Sequence, residues 1–198
     1  MYKTSTDRRF QKNKKEIRQA FIHLVMKKGY HNISISDIAK EADINRMTFY
    51  AHYDMIEDVF QEFIDDMKSQ ITAAVSTETE FDIDSFFSLL NNCMYQEYEF
   101  FQFVSKEDSC SEFRSAFRKT ICDILIFDKS DNSIFNSTNT IIAGNLAASC
   151  IATAYLDWLA GIYGKIALND VLSIVKYMLK DQIKYIRYST ISDISILQ

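Results

Sequence analysis

The 198-residue sequence predicts an all-α protein, and three features of it carry that expectation. It holds no proline and only four glycines, so the punctuation that separates the short strands of a sandwich or barrel is missing. Its apolar residues, 47% of the chain with 14% aromatic, recur at three- and four-residue steps in one segment after another. Convincing period-two alternation is scarce. So much apolar side chain is ample for a buried core, and the length fits one or two domains.

The first helix is expected over residues 7–28, where Ile17, Ala20, Phe21, Leu24 and Val25 keep the spacing of a buried face, and Gly29 ends it. Lys3, Arg8, Arg9, Lys12, Lys14, Lys15 and Arg18 lie mostly ahead of that stripe. They read either as a solvated arm or as a phosphate-contacting one.

Residues 34–53, SISDIAKEADINRMTFYAHY, lay down two short helices joined by a three-residue turn. In the first, Ile35, Ile38, Ala39 and Ala42 share a face while Ser36, Asp37, Lys40 and Glu41 stay wet. Ser34 is placed to cap it, with Asp37 completing a capping-box-like pair. Asp43, Ile44 and Asn45 break the pattern, Asp and Asn tolerating turn geometry and Asn45 standing ready to cap the next helix. That helix, residues 46–52, is too short to hold by itself and is anchored by Phe49. Arg46, Met47, Thr48, Tyr50 and His52 then occupy faces where packing does not demand them, with tips suited to base edges and phosphates; Met47 in particular offers an apolar contact to a thymine methyl.

These residues make residues 34–53 resemble the helix-turn-helix signature of the TetR family of bacterial transcriptional regulators. The run from Thr48 to Tyr53 is the most specific part. With the preceding helix ending in Lys28-Gly29-Tyr30 and a long helix starting near Ile56, the similarity covers residues 10–71. It implies a TetR-like all-α fold: an N-terminal three-helix DNA-binding domain over 10–71, and a C-terminal helical ligand-binding and dimerisation domain over 72–198. It also implies DNA contact by Ser34, Ser36, Arg46, Met47, Thr48, Tyr50, His52 and Tyr53, with Tyr53 partly packed. Two departures stand out. Asp43 occupies a turn position where the family generally has glycine, and Ile56 stands where the family commonly has a phosphate-contacting lysine.

The fourth helix is expected over residues 55–76, with Val59, Phe60, Phe63, Ile64, Met67 and Ile71 on one stripe. At 1.5 Å per residue it spans roughly 30 Å, enough for a lever. Residues 77–82 read as a polar, acidic connector and the best boundary. An aromatic-rich helix follows over 83–104, then a polar loop over 105–110, a helix over 111–127, and an Asp-, Asn- and Ser-rich stretch over 128–140 that reads as a long loop or frayed helix start. Residues 141–163 are apolar nearly all round. Asp157 interrupts them and no basic flank follows, so a central buried helix is expected rather than a membrane span. Its small residues, among them Gly144, Ala147 and Ala148, allow another helix to approach closely. The last helix, residues 169–187, presents Leu172, Val175, Met178, Leu179 and Ile186 on one side. The resemblance implies that the final two helices pair with those of a second copy, matching a palindromic operator with half-sites about one helical turn, or a multiple of it, apart.

The net charge of −5 conceals an asymmetry. Residues 1–53 hold eleven Lys or Arg against five Asp or Glu, a net of +6, whereas residues 54–198 hold eleven against twenty-two, a net of −11. A basic module on an acidic body suits a polyanion bound at one end. Cys93, Cys110, Cys122 and Cys150 are far apart with no secretory signal ahead of them, which points to reduced thiols in a cytoplasmic protein. No metal-ligand spacing, Gly-rich phosphate loop, Ser elbow or HExxH run occurs, so neither an enzyme nor a cofactor is expected. The reading is a dimeric repressor that binds a double-stranded operator and is released by an unidentified small-molecule effector, with Phe86, Phe101, Phe117, Tyr155 and Trp158 as expected pocket lining against the alternative of plain core. Two competitors are an accessory protein or coactivator of this fold acting through a protein partner, and a helical ligand-binding or catalytic protein that leaves DNA alone.

Overall fold

The computed structural model describes residues 5–75, 81–128, 133–134 and 138–188. Nine α-helices lie among the described residues: α1 Ser5–Lys28, α2 Ile35–Glu41, α3 Arg46–Tyr50, α4 Ile56–Val75, α5 Ile83–Gln96, α6 Tyr98–Lys106, α7 Ser111–Ile126, α8 Thr138–Ala160 and α9 Leu168–Tyr188. Single 3-10 turns occur at Tyr30–Asn32 and Asp108–Cys110. A short antiparallel pairing of Phe127 with Ile134 and Asp128 with Ser133 does not alter the all-α class.

The chain forms two compact units, Met1–Asp66 with Asp108–Cys110, and Met67–Glu107 with Ser111–Gln198. The division falls inside α4, a helix that runs through Asp66 and Met67 without a break, rather than in the connector expected over 77–82. Residues 77–80 of that connector lie outside the described residues, as does Lys3.

In the first unit α1 packs against α2, and α2 against α3. The stripe Ile17, Ala20, Phe21, Leu24 and Val25 is buried with Ile38, Ala39, Phe49 and, from α4, Val59, Phe63 and Ile64. Burying so many medium and large apolar side chains, at roughly 1.5–3 kcal/mol each, is what holds helices as short as α2 and α3. Gly29 ends α1 at φ 77°, a value that side chains resist.

In the second unit α8 packs against α6, α7 and α9. Gly144 explains how closely α8 approaches α7: a Cβ built there would lie 2.5 Å from Cγ2 of Ile126. Asp123 of α7 accepts from Lys68 of α4 and Lys119, each at 3.0 Å, and Lys176 of α9 donates to Asp84 of α5 at 2.6 Å. Cys93, Cys110, Cys122 and Cys150 form no disulfide with one another.

Two expectations are corrected here. The single helix expected over 83–104 is two, because Glu97 leaves the helical region at φ −123°, ψ 40°. The stripe Phe86, Phe87, Leu90 and Met94, if continued, would drive Glu97 and Tyr98 inward. Beyond the break Phe100, Phe101 and Val104 are buried. Second, α8 is not buried all round. It is long and apolar enough to cross a membrane by length and composition, and Ala147, Ala148, Ile151, Ala152, Tyr155 and Leu159 are packed inside, yet Ile142 and Leu146 face outward. The stretch over 128–140 is described only at 128, 133–134 and from the start of α8 at Thr138.

Candidate nucleic-acid interface

The two short helices of the first unit are shaped by their ends. Ser34 caps α2: its hydroxyl accepts from the Asp37 N–H at 3.2 Å and donates to Asp37 Oδ2 at 2.7 Å, while the Ser34 N–H donates to that same oxygen at 3.0 Å. This is a reciprocal capping box. Lys28 donates to Asp37 at 2.7 Å. These hydrogen bonds, first from Lys28 and then from Ser34, hold the Asp37 carboxyl well below the usual carboxylate range.

The turn follows at once. Asp43 takes φ 52°, the left-handed conformation that glycine adopts most cheaply and that Asp tolerates better than most residues. Asn45 caps α3 by accepting from the Thr48 N–H at 2.7 Å and from the Thr48 hydroxyl at 3.0 Å. Phe49 is fully buried and plugs α3 into the core.

What α3 leaves outside is a compact set. Met47 is 76% exposed and Tyr50 51%, with Arg46 exposed beside them. Arg46 Nη2 donates to the Ser36 hydroxyl, so the guanidinium is tethered to α2. The Tyr50 ring meets the buried Phe49 ring edge-on at 5.9 Å, which braces it. Arg8, Arg9, Lys12 and Lys15 of α1 are exposed as well.

Beyond α3 the chain turns inward. Tyr53 is only 7% exposed, and its hydroxyl donates to Glu62 of α4. Lys14 of α1 donates to Glu62 at 2.5 Å, and one helical turn further along both helices Arg18 meets Asp66 at 3.1 Å. Burial opposes the charge on Glu62, but the bonds from Lys14 and Tyr53 prevail and keep its carboxyl below its ordinary value. Burial, aided by the bond to Glu62, pushes the Tyr53 hydroxyl far up. His52 lies against Phe10, ring centroids 4.1 Å apart. Its Nδ1 is buried without a hydrogen-bond partner in the protein, and burial followed by the nearby Lys14 charge lowers its pKa, favouring the neutral ring.

Residues 17–63 match the family described as "Bacterial regulatory proteins, tetR family". Residues 17–63 are thus a TetR-family DNA-binding domain. No curated protein sequence matches it. Among solved structures it is similar to the "Dihydroxyacetone kinase operon activator DhaS" at 23% identity and TM-score 0.58, covering 89% of this chain and 98% of that one. It is also similar to a putative TetR-family transcriptional regulator from Syntrophomonas wolfei, at 15% identity and TM-score 0.60 over 91% of this chain and 98% of that. A third, a TetR transcriptional regulator from Streptococcus agalactiae, shares 20% identity at TM-score 0.56, covering 88% and 97%. At these identities the likeness concerns the fold.

Within this TetR-type domain the eight expected DNA-binding residues divide in two. Ser36, Arg46, Met47 and Tyr50 are brought together, whereas the Ser34 and Thr48 side chains are engaged in capping, His52 is half-buried and Tyr53 is core. The partners that sequence reading missed are Phe10 and Glu62. For Glu62 a signal existed: Lys14 and Arg18 are four apart, as are Glu62 and Asp66, which is how paired rungs between two helices look in sequence. Nothing local in the sequence says that those two helices meet.

The five residues expected to line an effector pocket lie in the second unit. Phe101 packs on Phe117 at 5.7 Å, and Phe117 on Tyr155 at 6.3 Å. Tyr155 donates to Asn91. Phe86 packs with Phe87 at 5.2 Å. Trp158 is half-buried, its indole N–H donating to the Ile166 carbonyl at 2.9 Å and its ring meeting Tyr98 at 6.2 Å.

Proposed function

We propose that this transcriptional regulator is a repressor that binds a palindromic double-stranded operator as a homodimer and leaves it when a small-molecule effector binds the C-terminal unit. The observation that carries DNA reading is the exposed triplet Arg46, Met47 and Tyr50 on a short helix whose other face is fixed by Phe49. The placement of +6 in residues 1–53 of a chain of net −5 supports it. In this reading Arg46, with Ser36 holding it, reads a base edge or a phosphate, while Ser34, Thr48, His52 and Tyr53 act by shaping the motif.

Dimerisation through α8 and α9 is supported by their outward side chains. Leu146 and Ile142 of α8, and Ile174, Tyr177 and Met178 of α9, are exposed apolar residues on two adjoining helices, next to an apolar groove of about 650 Å3 that includes Cys150, Ala154, Ile174 and Met178. A second copy would take that surface out of water. For the effector, the Phe101, Phe117 and Tyr155 series with Phe86 and Trp158 is the proposed pocket. Phe101, Phe117 and Tyr155 touch in series, so an effector must displace them, and only one that binds the displaced arrangement better shifts the equilibrium.

The test is a fluorescence-anisotropy titration of the full chain, at several stated salt concentrations, against duplexes from upstream of its own gene and its neighbours. Arg46→Ala is expected to cost about 1–3 kcal/mol with relaxed specificity if it reads a base, or to lower the salt slope by about one if it touches phosphate. Equal affinity for every duplex and its scrambled copy would defeat the proposal. Unchanged affinity and salt slope would defeat the role of Arg46.

A further inference from the structure

We propose that Met47 and Tyr50 read thymine C5-methyl groups, so that each half-site presents thymine at the base pairs α3 faces. This rests on the reading above that α3 enters the major groove.

The chemistry of the exposed side chains leads there. Of the five residues of α3, Phe49 is buried and the Thr48 hydroxyl donates to Asn45. What remains outside is one guanidinium, one thioether and one phenol. The helix carries no Asn, Gln, Asp, Glu or Lys, the usual partners of adenine, cytosine and guanine edges besides Arg. Hydrogen-bond readout on α3 is therefore confined to Arg46 and the tip of Tyr50. Most of the area that Met47 and Tyr50 offer is apolar or aromatic, and the thymine methyl is the one apolar group that a base presents in the major groove.

Spacing and rigidity agree. Met47 and Tyr50 are three apart on a helix, which puts their Cβ atoms about 5–6 Å from each other. Base pairs rise about 3.4 Å per step, so the two side chains span one to two steps. Tyr50 is braced by Phe49, whereas Met47 is unbranched and adapts to the methyl it meets. The exposed Arg8, Arg9, Lys12 and Lys15 of the same unit supply charge complementary to a nucleic acid rather than to an apolar protein partner.

The experiment enriches a random duplex pool on the full-length protein at about 150 mM salt. Each thymine of the enriched site is then replaced in turn by deoxyuridine, which removes the methyl and keeps every hydrogen bond. At one or two positions in each half-site the wild type is expected to lose about fourfold in affinity, the worth of one buried methyl. Met47→Ala and Tyr50→Ala, both surface changes, are each expected to become indifferent to deoxyuridine at one of those positions while still binding the site. An enriched site indifferent to deoxyuridine everywhere overturns this inference and leaves operator binding intact. A pool that yields no enriched sequence overturns both. Variants as sensitive as the wild type at every position overturn the assignment to these two residues.

Discussion

Removing the Glu62 side chain tests whether α4 holds the end of the reading motif. In Glu62→Ala the Tyr53 hydroxyl, in a residue only 7% exposed, loses its acceptor, at a cost of about 1–3 kcal/mol for a buried polar group left unmade. Lys14 loses an ion pair at 2.5 Å between side chains 28% and 30% exposed, intermediate between a surface pair worth about 0–1 kcal/mol and a buried one; about 1 kcal/mol is a fair share. The sum is roughly 2–4 kcal/mol, a large part of the roughly 5–15 kcal/mol that holds a typical domain together. Tyr53→Phe, which leaves Glu62 its lysine, is expected to cost only about 0.5–1.5 kcal/mol. Urea unfolding of the wild type, both single variants and the double variant completes the cycle, and Glu62→Ala should cost less in the Tyr53→Phe background. A loss below about 1 kcal/mol for Glu62→Ala, or strict additivity, would refute the buried-acceptor argument and reduce Glu62 to a surface partner of Lys14.

Gly144→Ala should lower the melting temperature: overpacking against the stiff Cγ2 of Ile126 costs about 1–3 kcal/mol and exceeds most or all of the ~1 kcal/mol gained in helix propensity. Adding Ile126→Ala should make the double change cheaper than the sum of the singles, and a Gly144→Ala protein more stable than wild type would contradict the close approach of α7 and α8. Tyr53 and Tyr155 have hydroxyls pushed up, in both cases first by burial. Their folded forms keep protons that the unfolded chain releases near about pH 10, so their contribution to stability is present below that pH and is lost as pH rises through it; ultraviolet absorbance should show these two titrating only with the unfolding step. Finally, Leu146→Glu with Tyr177→Glu, at positions 68% and 86% exposed, should leave a folded monomer in sedimentation and abolish high-affinity operator binding, whereas an unchanged dimer would displace the interface from α8 and α9.

Much of the first unit was legible because its signals are local. Ser34 and Asp37 lie three apart, Asn45 stands at a helix start, Asp43 in a turn, and Phe49 anchors a helix too short to need a second anchor. Each expectation follows from backbone groups within four residues, and sequence spacing determines such geometry. The helical class was legible for the same reason, since a 3.6-residue period needs no knowledge of what it packs against.

Tertiary structure decided what depends on distant partners. Tyr53 and Tyr50 look alike in sequence, yet one is core and the other exposed because Glu62, nine residues after Tyr53, supplies an acceptor for its hydroxyl. The break at Glu97 leaves the apolar spacing on its two sides in step, Leu90 and Met94 with Phe101 and Val104, so a period read along the segment cannot reveal it. Likewise α8 is apolar nearly all round, so composition could not tell its packed face from the face bearing Ile142 and Leu146. That distinction arises only where α6, α7 and α9 are seated, because burial is a property of neighbours and the sequence specifies only which residues can accept it.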